Sequence, residues 1–134
     1  MNPQSLFSKF SPVTKVSEFA PGMPSMLECF ATWCAPCRGA IPHLAEMSQK
    51  YPGVYIASVS REEEKVVQTL KAKMPQMSKY NVSVDKTGTL GTFMEQQGVG
   101  GIPHSFIFDR NGNLCWQGHP MDKECEENLK DLSK

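Results

Sequence analysis

The sequence predicts an α/β protein whose mixed central β-sheet carries helices on both faces. Short apolar runs of strand length alternate with longer segments in which apolar residues recur at helical spacing. Near the carboxyl end, two apolar runs flank an Asn-Gly pair, which is the sequence signal of an antiparallel hairpin. A sheet that combines helical crossovers with a hairpin has both parallel and antiparallel neighbours. The length of 134 residues fits a single domain.

The first half of the chain predicts the order β, α, β, α after an irregular arm. Residues 1–22 are rich in Ser, Pro and Phe and predict this arm, with one short strand over residues 13–16. Residues 23–134 are expected to complete the same domain. The run 26–31 has the apolar character of a buried strand, except for the carboxyl group of Glu28. The elements that follow are a helix over 34–50, a strand over 54–59 and a helix over 62–74.

The second half predicts shorter elements separated by turn residues. In order, they are a strand over 81–85, a helix over 89–97 and two paired strands over 105–108 and 114–117. The pairing follows from Asn111-Gly112, which lies between the two apolar runs. A final helix over residues 122–132 has Asp122 as its predicted N-cap.

Charge and hydropathy exclude several classes of partner. Fourteen basic and fourteen acidic side chains give a net charge of zero, so no net field favours nucleic acid or an anionic membrane. No apolar run approaches the roughly 18 residues that span a bilayer. The first seven residues lack the apolar segment of a signal peptide. We therefore expect a cytoplasmic monomer, unless the sequence is a piece of a longer exported or organellar chain.

The cysteines point to redox chemistry rather than to a disulfide framework. Among five cysteines, Cys34 and Cys37 form the one close pair, and an odd set suits a reducing compartment. A thiol must ionise to attack a disulfide, and a second thiol must lie near to resolve the mixed disulfide. At a helix start, Cys34 would face unpaired N–H groups that lower its pKa, while Cys37 is shielded one turn further in. Pro36 suits the first helical turn, and Ala35 and Pro36 together tune the redox potential.

A Cys-x-x-Cys pair is also half of many zinc sites, so the zinc alternative requires further ligands elsewhere in the chain. Cys29, Cys115 and Cys125 lie singly along the chain, and neither His43 nor His119 completes a zinc spacing. We therefore expect no metal. Cys29 and Cys115 are predicted to be inert strand cysteines, whereas Cys125, near a polar helix, is predicted to be exposed and prone to oxidation. The acidic run 62–64 is interpreted as a solvated helix start.

Three segments carry a resemblance to a known family. Residues 30–38, Phe-Ala-Thr-Trp-Cys-Ala-Pro-Cys-Arg, followed by Pro42, resemble the thioredoxin superfamily. With residues 98–103 and 106–112, the pattern most resembles the TlpA/ResA-like thiol–disulfide oxidoreductases and, more distantly, the tryparedoxins. The resemblance covers roughly residues 23–132 and includes a strand-helix insertion at about 75–97. It implies a thioredoxin fold and disulfide exchange without a bound cofactor.

The resemblance also implies roles for residues around the pair. Cys34 would be the exposed nucleophile and Cys37 the resolving thiol. Pro103 would be a cis-proline that faces the pair and presents the backbone of Ile102 as an edge for substrate. Trp33 would be the aromatic shield beside the nucleophile. The alternatives are an ordinary trans loop proline at 103 and a partly buried core aromatic at 33.

Two further positions matter for proton transfer. The superfamily places a buried acid where this chain has Glu28, which would have a raised pKa and accept the proton of Cys37. The alternative is a Glu28 side chain that points to solvent. His104 stands where family members usually carry Thr. It either alters substrate fit and adds a titrating group beside the thiols, or it is a packed, hydrogen-bonded histidine.

The function expected from this combination is reduction of protein disulfides, in the service of redox homeostasis and antioxidant defence. Electrons would enter from an upstream thiol reductant or reductase and leave through a mixed disulfide on Cys34. One alternative is a thiol peroxidase, although the peroxiredoxin pattern Pro-x-x-x-Thr-x-x-Cys is absent from the sequence. The other is a redox-inactive or zinc-binding interaction module of the same fold.

Overall fold

A computed structural model describes residues 2–134, and in that range the chain forms six strands, five α-helices and one 3-10 helix. The strands are β1 Ser11–Thr14, β2 Ser25–Phe30, β3 Tyr55–Ser60, β4 Asn81–Val84, β5 His104–Phe108 and β6 Leu114–Gly118. The α-helices are α1 Pro3–Phe7, α2 Ala35–Lys50, α3 Glu64–Lys73, α4 Thr89–Gln96 and α5 Lys123–Leu132. The 3-10 helix covers Pro75–Lys79, between α3 and β4.

All six strands join one sheet in the order β1-β4-β3-β2-β5-β6. The central strand β2 is parallel to β3, and β3 is parallel to β4. The other three pairings, β1 with β4, β5 with β2 and β6 with β5, are antiparallel. The predicted α/β class with a mixed sheet is therefore confirmed, and the β5–β6 hairpin lies where the Asn-Gly pair predicts it.

The period-2 alternation of β-strands divides the buried side chains between the two faces of the sheet. On one face α2 and α5 cover an apolar cluster that includes Met26, Phe30, Ile56, Ile107, Leu44 and Leu129. On the opposite face α1 and α4 cover a second cluster that includes Leu27, Val59, Phe106, Leu6, Leu90 and Phe93. Because β2 contributes to both clusters, all six of its residues are buried. The strand that leads into the cysteine pair is thus enclosed along its whole length.

Several boundaries differ from the sequence prediction for identifiable local reasons. The first strand lies over Ser11–Thr14 instead of 13–16, because the Asn81 side chain accepts the N–H groups of Val16 and Ser17 at 2.8 and 3.2 Å and so holds them outside the ladder. Helix α1 was not predicted. Its start is fixed by Asn2, whose side chain accepts the N–H of Ser5 at 2.8 Å.

The predicted cap of the last helix is also different in the structure. Asp122 occupies the N-cap position of α5, but its side chain makes no capping bond to the helix. Its Oδ2 atom instead accepts the N–H of His119 at 3.2 Å. The Asp122 carboxylate therefore stabilises the turn before α5, and the first N–H groups of the helix have no side-chain cap.

The exposure predicted for Cys125 is wrong. Cys125 is fully buried, with its sulfur 3.6 Å from that of Met26, because it lies four residues before Leu129 on the apolar face of α5. Cys115 is exposed, because it points outward from the edge strand β6, where burial alternates along the strand. Cys29 is buried in β2, as predicted.

Candidate active site

The cysteine pair lies where β2 ends and α2 begins. Cys34 is the N-cap of α2, with extended backbone dihedrals, and its Sγ accepts the N–H of Cys37 at 3.2 Å. Cys34 and Cys37 are joined by a disulfide, with their Cα atoms 5.2 Å apart. The sulfur of residue 34 therefore takes the place of the oxygen that caps an ordinary helix. A negative charge on that sulfur is stabilised by the first-turn N–H groups and the positive end of the helix dipole.

Both sulfurs are largely covered in this oxidised state. Cys34 is 5% exposed and Cys37 is 1% exposed, so the expectation of an exposed residue 34 is wrong for the disulfide form. The cover on Cys34 includes Ile102, whose carbonyl oxygen lies 3.8 Å from its Sγ. Ala35 and Pro36 are exposed and form the outer rim of the site.

The segment before β5 faces the pair. The peptide bond between Ile102 and Pro103 is cis, and the Pro103 side chain is buried. Ile102 is half-buried and contacts both apolar clusters. This placement brings a backbone carbonyl against the sulfur of Cys34, although the two residues are 68 positions apart in sequence.

Glu28 is the one carboxyl group with zero exposure among the described residues. It alternates with Met26 and Phe30 along β2 and therefore lies on the sheet face that packs against α2. Its exposure is zero, so the solvent-pointing alternative is wrong. Burial raises the pKa of Glu28 to about 8.

Polar groups surround Glu28, but they form no hydrogen bonds within the protein. Ser58 and Ser105 lie directly opposite Glu28 on the two neighbouring strands. Neither carboxyl oxygen of Glu28 nor either hydroxyl has a hydrogen-bond partner within the protein. A buried carboxyl group without donors is held mainly in its neutral form near pH 7, but with a pKa close to that of a thiol its carboxylate fraction can accept a thiol proton.

The residue before Trp33 is clamped from two sides. Glu62 accepts the backbone N–H of Thr32 at 2.7 Å and its hydroxyl at 2.6 Å, and the Ser60 hydroxyl donates to the same carboxylate at 2.8 Å. Arg38 donates from Nη1 to the Thr32 carbonyl oxygen at 2.8 Å. Both backbone groups of Thr32 are thereby fixed by charged side chains, which holds the loop that leads into Cys34.

This clamp was missed by the sequence analysis, which took the acidic run 62–64 for a solvated helix start. One signal could have indicated it. Glu62 follows β3, Thr32 follows β2, and these strands are parallel neighbours whose carboxyl ends meet at the same edge of the sheet. The exposed neighbour Glu63 makes no side-chain cap and fits the original interpretation.

For Trp33 and His104, the structure distinguishes between the two environments that the sequence leaves open. The Trp33 indole is 72% exposed, so the partly buried core alternative is wrong. His104 packs its ring against Phe106, with centroids 4.9 Å apart, and its Nε2 lies 3.0 Å from Oε1 of Gln117. His104 is therefore a packed, hydrogen-bonded histidine rather than a group bonded to either sulfur.

Residues 2–134 contain neither a cluster of metal ligands nor a membrane-spanning helix. No group of three or more His, Cys, Asp or Glu side chains is arranged to hold a metal ion there. Over the same residues, no helix is long and apolar enough to cross a membrane.

Comparison with known proteins gives one family and a set of relatives. The model of the AhpC/TSA family matches residues 9–117. The thiol-disulfide oxidoreductase ResA of Bacillus thuringiensis subsp. konkukian is 28% identical over 116 residues, which cover 84% of this chain and 65% of that protein. The chain therefore spans just under two thirds of the length of this curated relative.

Solved structures agree on the fold. A thiol:disulfide interchange protein of the thioredoxin family from Chlorobium tepidum superposes with a TM-score of 0.72 at 22% identity, covering 94% of each chain. A thiol:disulfide interchange protein from Bacteroides sp. gives a TM-score of 0.74 at 16% identity, covering 93% of this chain and 86% of that one. At these identities the likeness concerns the fold, and the predicted thioredoxin fold is confirmed.

Proposed function

Because this chain belongs to the AhpC/TSA family, we propose that its cysteine pair carries out thiol–disulfide exchange and reduces disulfides in protein substrates. The observation that carries the proposal is the position of Cys34, whose sulfur caps α2 and accepts the N–H of Cys37. A sulfur in this position is a good leaving group when a disulfide bond to it is broken, and it is ionised enough near neutral pH to attack a substrate disulfide.

Reduction proceeds by two displacements at sulfur. The Cys34 thiolate attacks one sulfur of the substrate disulfide, a mixed disulfide forms, and the other substrate sulfur leaves as a thiolate that takes up a proton. Cys37 then loses its proton and attacks the Cys34 sulfur, which releases the second substrate thiol and closes the disulfide seen in the structure. Two electrons pass to the substrate, and the protein pair is oxidised.

Glu28 supplies the proton acceptor for the second displacement in this proposal. Its burial on the sheet face that packs against α2 raises its pKa to about 8, near the pKa of an ordinary thiol. When the two pKa values are matched, the carboxylate fraction of Glu28 takes the Cys37 proton at little cost. Ile102 would receive the substrate backbone along its exposed edge, and Trp33, Ala35 and Pro36 would flank it.

The source of electrons and the compartment are further parts of the proposal. An upstream thiol reductant or reductase would regenerate the dithiol after each turnover, since exchange requires no bound cofactor. Cys29, Cys115 and Cys125 are unpaired, which is typical of a reducing compartment such as the cytosol. In that setting the pair would contribute to redox homeostasis and antioxidant defence.

The direction of electron flow is tested by the equilibrium potential of the pair against glutathione. We expect a potential more negative than about −220 mV, so that the dithiol can reduce protein disulfides. Cys34→Ser should abolish both exchange and insulin-disulfide reduction. A potential near that of a strong oxidant would contradict reduction, and rapid peroxide turnover by the isolated protein would favour the peroxidase alternative.

A further inference from the structure

A groove beside the cysteine pair contains an unpaired cation. Two adjoining cavities of about 330 and 530 Å³ share four lining residues, which are Trp33, Arg61, Met94 and Ile102. We call this continuous surface the Arg61 groove. It begins at Trp33 and Ile102, the residues that flank Cys34, and it runs along α4. A substrate that engages Cys34 therefore lies next to this groove.

The Arg61 guanidinium lies against the backbone of α4 at Gly91, where the lack of a side chain leaves room for it. A Cβ atom at residue 91 would lie 2.9 Å from Nη2 and 3.0 Å from Cζ of Arg61. Arg61 follows β3 directly and is exposed, and Gly91 lies in the first turns of α4. A glycine is thus required for the guanidinium to lie against the helix at this place.

None of the neighbouring acidic side chains forms an ion pair with Arg61. Within residues 2–134, no carboxylate lies within 4.0 Å of the Arg61 guanidinium. The adjacent Glu62 carboxylate is directed to Thr32 and Ser60 instead. Glu95 lines the outer part of the groove without forming an ion pair. The groove therefore offers a planar donor array suited to a carboxylate, next to apolar side chains.

We propose that the Arg61 groove binds an extended segment of a protein substrate that carries an acidic side chain beside its disulfide. This inference rests on the proposed function and names its substrate class. The substrate carboxylate pairs with Arg61, while an apolar neighbour in the segment packs against Trp33, Met94 and Ile102. Arg61 acts as a specificity-determining residue and takes no part in the exchange itself.

A protein segment fits the groove better than a small thiol does. Glutathione disulfide also carries carboxylates, but it has no apolar side chain to cover Met94 and Ile102. The two cavities together also extend beyond the immediate surroundings of Cys34, since they reach Gly88 and Thr92 at the start of α4. A peptide that extends over several residues can occupy that length and keep a carboxylate on Arg61.

The test measures docking separately from chemistry. Oxidised protein is titrated, by NMR, with two linear peptides that share one apolar sequence, contain Ser in place of Cys, and differ only by Glu or Gln near that Ser. We expect the Glu peptide to bind about three- to fivefold more tightly, as for a partly exposed Arg–carboxylate pair. Shifts should centre on Trp33, Arg61 and Ile102. Equal affinities for the two peptides would overturn the proposal.

Variants separate Arg61 from general charge effects. Arg61→Gln should reduce the Glu-to-Gln affinity ratio to one, and Arg61→Glu should reverse the preference in favour of a Lys peptide. Gly91→Val keeps the charge but displaces the guanidinium, and it should also reduce the ratio. Lys73→Gln removes the same charge from the exposed end of α3 and should leave the ratio unchanged. Retention of the preference in Arg61→Gln would overturn the assignment.

Matched disulfide forms of the two peptides then distinguish this proposal from the proposed function. A binding preference without reduction of either disulfide peptide would contradict the reductase and leave the groove assignment standing. Reduction of both peptides at one rate, with equal binding, would contradict the groove and leave the reductase standing. An Arg61→Gln effect on oxidised glutathione as large as that on the Glu peptide would assign the cation to a small thiol and overturn the protein-segment proposal.

Discussion

The carboxyl group of Glu28 is enclosed between Ser58 and Ser105 on neighbouring strands, and it has no hydrogen-bond partner in the protein. Enclosure of this kind costs free energy whenever the group is charged, and the raised pKa of about 8 expresses that cost. The arrangement is unfavourable for stability at neutral pH. A proton transfer between Glu28 and Cys37 during turnover would explain why the protein has a carboxyl group at this buried position.

The kinetic prediction at residue 28 separates the two displacements. Glu28→Gln should slow the resolution of a mixed disulfide by Cys37 by about 10²-fold or more, as for the loss of a positioned proton acceptor. It should change the first attack by Cys34 much less, because that thiol is ionised by the helix end. Stopped-flow measurement with a chromogenic disulfide resolves the two steps. Equal slowing of both would count against a proton-acceptor role.

The stability prediction at residue 28 follows from the direction of its pKa shift. The unfolded chain releases the Glu28 proton near pH 4.5, whereas the folded protein holds it to about pH 8. The stabilising effect of this proton is therefore complete below pH 4.5 and is lost as the pH rises through 8. In that window the free energy of unfolding should fall by up to about 1.4 kcal/mol per pH unit relative to Glu28→Gln. Parallel curves for the two oxidised proteins, measured in urea, would refute the assignment.

The clamp on Thr32 gives a third prediction at the residue scale. Glu62→Ala leaves two donors of Thr32 without their charged acceptor, so it should lower the free energy of unfolding by about 2–4 kcal/mol and slow the reaction of Cys34. Glu63→Ala removes the adjacent exposed carboxylate and should change stability by less than about 0.5 kcal/mol. Urea unfolding and thiol labelling of both variants check this contrast. Similar losses in both would mean that charge, not the clamp, is responsible.

At the scale of elements, the site depends on where one strand ends and one helix begins. Helix α2 contributes its N-cap sulfur, and its inner face anchors it through Leu44 and Met47, which are almost completely buried. The hairpin between β5 and β6 turns at Gly112, whose φ of +81° is accessible to glycine at little cost. Asp109 accepts the N–H groups of Asn111 and Asn113 and closes that turn, both at 2.9 Å.

Two glycine substitutions should act in opposite directions because of these elements. Gly112→Ala forces a side chain into the left-handed region, so it should lower the free energy of unfolding by about 1–2 kcal/mol. Gly39→Ala lies on the exposed face of α2 with open space around it, and it should raise stability by about 0.5–1 kcal/mol. Thermal and urea unfolding of both variants measure the two signs. Stabilisation by Gly112→Ala would contradict the turn geometry.

Elements whose signals are local were predictable from sequence. The strand-helix order follows from apolar periodicity, and the hairpin follows from Asn111-Gly112. The exposures of Cys115 and Cys125 were not predictable in the same way, because they depend on which face of β6 and α5 meets the core. Glu124 and Glu126 on either side of Cys125 suggest a polar helix, but Cys125 and Leu129 lie together on the apolar face of α5.

At the scale of the whole molecule, the sheet order places distant residues together. Parallel pairing of β2 with β3 brings Glu62 to Thr32, and antiparallel pairing of β2 with β5 brings the Ile102 carbonyl to Cys34. The cysteine pair could be found in the sequence because its geometry lies within one helical turn. The clamp on Thr32 and the Arg61 groove could not, because their members become neighbours through the sheet.

The account depends most on an ionised sulfur at the start of α2 in the reduced protein. The most direct measurement is the rate of iodoacetamide labelling of Cys34 against pH, followed by mass spectrometry in a Cys115→Ser background that removes the exposed competing thiol. We predict an apparent pKa below the ordinary thiol value of about 8.5 and, near pH 6.5, labelling about tenfold faster than a free-peptide thiol. Labelling at the peptide rate, with an apparent pKa near 8.5, would contradict the account.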